Sequence, residues 1–216
     1  MKAWRASHPE LAREWDRYWN RDLPEGWIDE LVAAGHSDSK AATRKLSGSV
    51  IQKLAEIAPW IVGGSADLAP SNDTNIDASG SLARAEDNAE APPLDAFRNR
   101  NLHFGIREHA MGAIVNGLTL HGPWRAYGGT FLIFSDYMRA SVRLAALMNI
   151  PSIFVYTHDS VFLGEDGPTH QPIEQLWSLR AIPNLRVFRP ADGVEVAMAW
   201  AWAVAKSEGP SAMALT

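Results

Sequence analysis

From Thr43 onward, short apolar runs alternate with segments whose apolar residues recur every three to four positions, each opened by a polar or turn residue. The pattern predicts helix over 42–58, strands over 60–66 and 100–105, helix over 107–121, strand over 123–127 and helix over 131–149. Strand 151–157, helix 171–181, strand 185–189, helix 192–206 and strand 210–216 follow. Strands separated by helices form parallel sheets, so the expected class is α/β: a three-layer αβα sandwich with a mostly parallel sheet. Ahead of it, Trp4, Leu11, Trp15, Tyr18 and Trp19 stand at near-helical spacing among Arg and Glu until Pro24-Glu25-Gly26 breaks the pattern. That predicts an amphipathic helical arm over 1–40, packing against something large, before an α/β domain over 41–216. Residues 72–99 are poor in large apolar groups, and a loop of that length reads either as a functional lid or as a flexible excursion. A chain ending on a strand reads as a domain excised from something longer.

Composition narrows the function classes. At 216 residues there is room for one α/β domain and an arm, not for two enzyme-sized domains. A net charge of -5 makes nucleic acid and anionic lipid unfavourable partners, so any phosphate site must come from a few local Arg and His residues. The absence of Cys excludes disulfides, thiolate metal ligands and a Cys nucleophile, and fits a cytoplasmic location. The longest apolar run, Val196–Ala205, is too short to span a bilayer, and the amino terminus lacks the apolar core of a signal peptide.

Four constellations carry candidate chemistry. Thr157 to Pro172 packs two His, three carboxylates and a Gly-Pro turn into a loop leaving an apolar run, where α/β proteins bind ligands. Its His158, Asp166 and His170 are spaced by eight and four residues, which fits no common zinc pattern, and hydrogen bonding to a polyhydroxylated or phosphorylated ligand uses the same groups more naturally. Gly63-Gly64-Ser65-Ala66-Asp67 through Ser71 reads either as a tight turn capped by Asp67 or as a backbone that approaches a ligand. Glu108 heads a helix of small apolar residues, where it serves as a helix-start carboxylate or as a partly desolvated functional group. Phe131, Phe134 and Tyr137 follow a Gly128-Gly129-Thr130 loop at intervals of three, and either face the core or form a slot for a flat heterocycle. Arg44 is either a solvated helix-face residue or an anion anchor.

In order along nearly the whole chain, Ala42-Thr43-Arg44-Lys45, Gly63 to Ser71, Gly105-Ile106-Arg107-Glu108-His109-Ala110-Met111, Gly129-Thr130-Phe131 and Thr157 to Pro172 closely resemble transketolase. The likeness covers that family's central domain, which holds the aminopyrimidine ring of thiamine diphosphate, and the arm resembles the preceding linker. It implies roles by position. Glu108 matches the glutamate that hydrogen-bonds the aminopyrimidine ring nitrogen and promotes deprotonation of the thiazolium carbon. Phe131, Phe134 and Tyr137 match the aromatic pocket around the ring, and Asp67 a carboxylate lining the cofactor channel. Arg44, Ser71 and His158 match groups that bind the sugar phosphate, while Asp166 and His170 match contacts to sugar hydroxyls and the reacting centre. The implied reaction transfers a two-carbon ketol unit from a ketose phosphate to an aldose phosphate.

The departures are as informative. The chain has no Gly-Asp-Gly segment followed by Asn, through which the family binds Mg and the diphosphate, and the family's further phosphate-binding Arg would lie beyond Thr216. Magnesium would therefore act only through a domain this chain lacks. The resemblance implies little activity alone, a diphosphate-binding domain or subunit as partner, and a homodimer or hetero-oligomer. Two alternatives stay open: a fragment of dihydroxyacetone synthase, and a non-catalytic subunit or interaction module of a split thiamine enzyme.

Overall fold

The computed structural model describes residues 1–36, 40–82, 98–205 and 208–216. Three helices open the chain, α1 (Lys2–Ser7), α2 (Pro9–Asn20) and α3 (Trp27–Gly35), followed by α4 (Thr43–Ile57), β1 (Ile61–Ser65), α5 (Ala69–Asn72) and β2 (Asn101–His103). Then come α6 (Glu108–His121), β3 (Arg125–Phe131), α7 (Ser135–Leu147), β4 (Ile153–Thr157), α8 (Gln175–Arg180), β5 (Arg186–Phe188), α9 (Gly193–Ala205) and β6 (Ser211–Ala214). The strands form one sheet in the order β2-β1-β3-β4-β6-β5, with every pairing among the described residues parallel. The α/β sandwich expected from the alternating pattern is thus the fold adopted.

Side chains alternate across the strands, and each sheet face builds its own core. Ile61, Tyr127, Val155 and Met213 face α3, α4 and α9, where Trp200 stands edge-on to Tyr127 and donates from its indole to Ser47 Oγ at 2.8 Å. Val62, Ala126, Phe154 and Ala212 face the opposite layer, against Met111 and Val115 of α6 and Met138 and Val142 of α7. Helices α3 and α9 cross where Gly35 meets Gly193, and a Cβ on either would overlap the other's backbone carbonyl.

The structure corrects several element limits. The arm breaks at His8-Pro9 as well as at Pro24, because Pro9 has no N–H to continue the preceding helix and instead starts α2. Gly128, Gly129 and Thr130, read as a loop, lie inside β3, which runs to Phe131, and the next helix begins only at Ser135. Glycine is needed there for closeness: a Cβ on Gly128 would stand 2.9 Å from Met111 Cγ, and one on Gly129 2.8 Å from Thr74 Cγ2. Gly63 and Gly64 likewise lie within β1, and a Cβ on Gly64 would overlap the Leu102 carbonyl, so packing rather than ligand approach explains them. Of the expected loop 72–99, residues 83–97 lie outside the described residues. Its first part packs firmly, with Thr74 and Ile76 buried, the Tyr127 hydroxyl donating to Thr74 O at 2.6 Å, and Asn101 bonding both backbone groups of Ile76.

Candidate active site

Because all six strands run the same way, the segments that follow them emerge at one edge of the sheet, the edge where α/β folds bind ligands. Three non-glycine residues there adopt left-handed backbone, Asp67 just after β1 (φ 61°), Asp73 at the end of α5 (φ 52°) and His158 just after β4 (φ 56°). Such conformations cost on the order of 1–3 kcal/mol and persist where surrounding structure enforces them. At Asp67 the enforcement comes from Ser65 Oγ, which accepts from Leu68 N at 2.9 Å and turns the chain into α5.

The aromatic residues form a ladder. Phe131 ends β3, Phe134 lies in a short 3-10 turn and Tyr137 in the first turn of α7. Phe131 and Phe134 stack at 5.9 Å and 7°, and Phe134 and Tyr137 at 5.8 Å and 25°. His158 continues the ladder beyond Phe131 at 3.9 Å, and His170 meets Phe131 and Phe134 edge-on at 6.1 and 5.3 Å. Phe131 is buried while Tyr137 is 68% exposed, so the ladder runs from the core to the surface instead of lying wholly against the sheet.

Arg44 reaches this edge because the head of α4 is clamped to the end of β6. Thr43 N donates to Thr216 Oγ1 at 3.0 Å, Thr216 N donates to Thr43 Oγ1 at 2.8 Å, and Arg44 N donates to Thr216 O at 3.3 Å. The His158 ring is held below the ordinary histidine value, first by burial and then by the Arg44 charge, with His170 adding to the effect and Asp166 and Asp159 opposing it. Arg44, Asp166 and His170 thus stand close enough to His158 to act on its charge. Asp67, in the turn after β1, and Ser71, in α5, have exposed side chains, and neither makes a hydrogen bond to the ladder.

Glu108 is the first residue of α6, only 7% exposed, and makes no side-chain hydrogen bond or ion pair with any described residue. No bond to Arg107 forms. The carboxylate shares the sheet edge with the ladder, and having no partner among the described residues it is available to a group from outside.

Four further residues at this edge were not singled out by sequence reasoning. Thr157 Oγ1 donates to Asn72 Oδ1 at 2.6 Å and lies 2.8 Å from His158 Nδ1, while Asn72 Nδ2 is buried with no partner among the described residues. Asp159 is buried and accepts from Arg189 Nε at 2.7 Å, its other oxygen being buried without a partner among the described residues. Thr157 and Asp159 flank His158 and Asn72 follows Ser71, so adjacency to flagged residues was the available signal. For Arg189, thirty residues from Asp159, there was none beyond its place at a strand end.

The family model for the transketolase pyrimidine-binding domain matches residues 39–216. The chain belongs to the transketolase family. It is 51% identical to the transketolase of Mycobacterium leprae and 49% identical to that of Geobacillus stearothermophilus, in each case over 100% of this chain and 31% of the relative. It therefore corresponds to the central pyrimidine domain and spans less than a third of the curated relatives it matches. A Pichia stipitis transketolase solved in complex with sedoheptulose 7-phosphate superposes with a TM-score of 0.90 at 44% identity, covering 100% of this chain and 31% of that one. A protein described as a split-gene transketolase, an inactive beta4 tetramer, superposes at 0.58 with 25% identity, covering 81% of this chain and 51% of its own.

Proposed function

We propose that this chain supplies the aminopyrimidine-binding part of a thiamine diphosphate site in a transketolase that moves a two-carbon ketol unit between sugar phosphates. The observation that carries this reading is Glu108: a nearly buried residue at a helix head, its carboxylate without a partner among the described residues, on the same sheet edge as an aromatic ladder. A flat, basic heterocycle suits these groups: the aromatic ladder of Phe131, Phe134 and Tyr137 would offer apolar surface to its ring, and Glu108 would hydrogen-bond a ring nitrogen. When bound, thiamine diphosphate supplies the carbon centre that accepts and donates the ketol unit. The chain's own groups do the rest. Glu108 holds the proton shared with the ring nitrogen, and Asp67 lines the channel. Arg44, Ser71 and His158 hold the phosphate of the sugar, while Asp166 and His170 orient its hydroxyls at the reacting centre.

Magnesium and the diphosphate would be held by a partner, either another domain of a longer polypeptide or a separate subunit, in a homodimer or hetero-oligomer. Among the described residues no helix is long and apolar enough to cross a membrane, in keeping with a cytoplasmic enzyme. The likeness to an inactive split-gene tetramer favours a second reading, a subunit that becomes active only in assembly.

Ketol transfer from a ketose phosphate to an aldose phosphate, measured for the chain alone and after mixing with a diphosphate-binding polypeptide of the family, tests the proposal. Activity is expected only in the mixture, and Glu108→Gln should lower it at least tenfold, below the about 10²-fold that a proton-transferring side chain contributes at the least, because Gln keeps some hydrogen bonding. Robust turnover by the chain alone, or a Glu108→Gln mixture as active as the unaltered one, would sink it.

A further inference from the structure

We infer that Asn72 and Thr157 are positioning residues that hold His158 in a single tautomer, with Nδ1 protonated and Nε2 presented to the ligand as a bare acceptor. Thr157 ends β4 and Asn72 ends α5, and both are fully buried. The Thr157 hydroxyl lies 2.6 Å from Asn72 Oδ1 and 2.8 Å from His158 Nδ1. It owns one proton. An amide oxygen only accepts, so the proton goes to Asn72, and the hydroxyl oxygen can then meet Nδ1 only by accepting an N–H from it. In the neutral ring that leaves the lone pair on Nε2.

The ring has little freedom to turn away. Phe131 packs on it at a centroid distance of 3.9 Å, and the left-handed backbone at His158 aims the side chain from the strand end. Arg44 from α4, the adjacent Asp159, and Asp166 and His170 from the following loop are the charged or titratable groups that act on it.

For substrate selection the consequence is specific, and it rests on the sugar-phosphate reading above. Neutral His158 takes a hydrogen bond from a ligand hydroxyl at Nε2 directly. It can donate to a phosphate oxygen only after Nε2 gains a proton, so phosphate at this position is bound together with a proton and a neutral polyol is not.

The tautomer is read by two-bond ¹⁵N–¹H correlation spectra of the full chain, labelled with ¹⁵N in its seven histidines, at neutral pH. His158 is assigned by the signal lost in His158→Gln. We expect Nδ1 in the protonated, pyrrole-type position and Nε2 in the unprotonated, pyridine-type position. Thr157→Ser should keep that pattern, whereas Thr157→Val should lose it, the two nitrogens moving toward averaged positions. Finding the Nε2–H form in the unaltered chain would mean the Asn72 amide is turned round, and would overturn the inference even if Thr157→Val does not fold. An unchanged pattern in a folded Thr157→Val chain would overturn it as well. The spectra need neither cofactor nor substrate, so their outcome is independent of whether ketol transfer is ever restored by a partner.

Discussion

At the scale of single residues, the site is organised by what surrounds His158 more than by His158 itself. Burial and the nearby Arg44 charge both disfavour the imidazolium, so the folded chain binds a proton at this ring less readily than the unfolded chain does. Where the unfolded state binds more protons, stability rises with pH. Its contribution is therefore neutral above the ordinary histidine value of about 6.5 and increasingly unfavourable as pH falls toward the lowered folded-state value. Tm followed from about pH 7.5 to about pH 5 should fall for the unaltered chain, and less steeply for His158→Gln, which has no proton to gain there. Equal slopes for the two chains would show that His158 is not held in the neutral form.

At the scale of elements, glycine positions separate packing from permissiveness. Gly193 heads α9 and abuts Gly35 of α3 so closely that a Cβ would overlap the Gly35 carbonyl, whereas a Cβ on Gly117, in the middle of α6, meets nothing within 4 Å. Gly193→Ala must force the two helices apart and should cost about 1–3 kcal/mol, the usual cost of overpacking. Gly117→Ala removes a poor helix former without a clash and should stabilise the chain by about 1 kcal/mol. Urea denaturation of both variants checks the pair, and opposite signs are the expected result. The same contrast explains what was legible beforehand. Helices α4, α6 and α9 and strands β1 and β4 stood out because an apolar period survives burial on two sides. β3 was cut short because Gly128 and Gly129 look like a turn in sequence, and only the approach of Met111 and Thr74 shows why a strand needs them. The short helix α5 has too few residues for any period, yet it delivers Asn72 to the site. Glu108, the aromatic residues and the two histidines were legible as residues. Their grouping was not, since it depends on which strand ends lie side by side.

At the scale of the whole molecule, the arm does not behave as one unit. Helix α1 buries nothing and α2 buries only Ala12, and much of what holds them is local, such as the Arg5–Asp16 pair at 2.6 Å within the arm itself. Their ties to the remainder include Arg17 Nη2 donating to Ile57 O at 3.1 Å and the edge of Tyr18 against Trp124 at 6.2 Å. Helix α3 is different, because Leu31 is fully buried among the side chains of α4 and α9 and Gly35 forms the close crossing with Gly193. Removing residues 1–22 thus gives up one partly exposed hydrogen bond and one ring contact, together roughly 1–3 kcal/mol, besides the half-exposed packing of Trp19 beside Gly122. Removing residues 1–36 also gives up Leu31, about 2–5 kcal/mol by itself, and exposes apolar side chains of two further helices. Against a total stability of about 5–15 kcal/mol, the first deletion should leave a cooperatively folding protein and the second should not. Denaturant unfolding monitored by circular dichroism distinguishes them: a shifted but sharp transition for the shorter deletion, and loss of the transition for the longer. If both deletions unfold alike, α1 and α2 are integral to the fold. If both remain cooperative, the core against α4 and α9 closes without α3, and the α/β layers are self-sufficient from Thr43 onward.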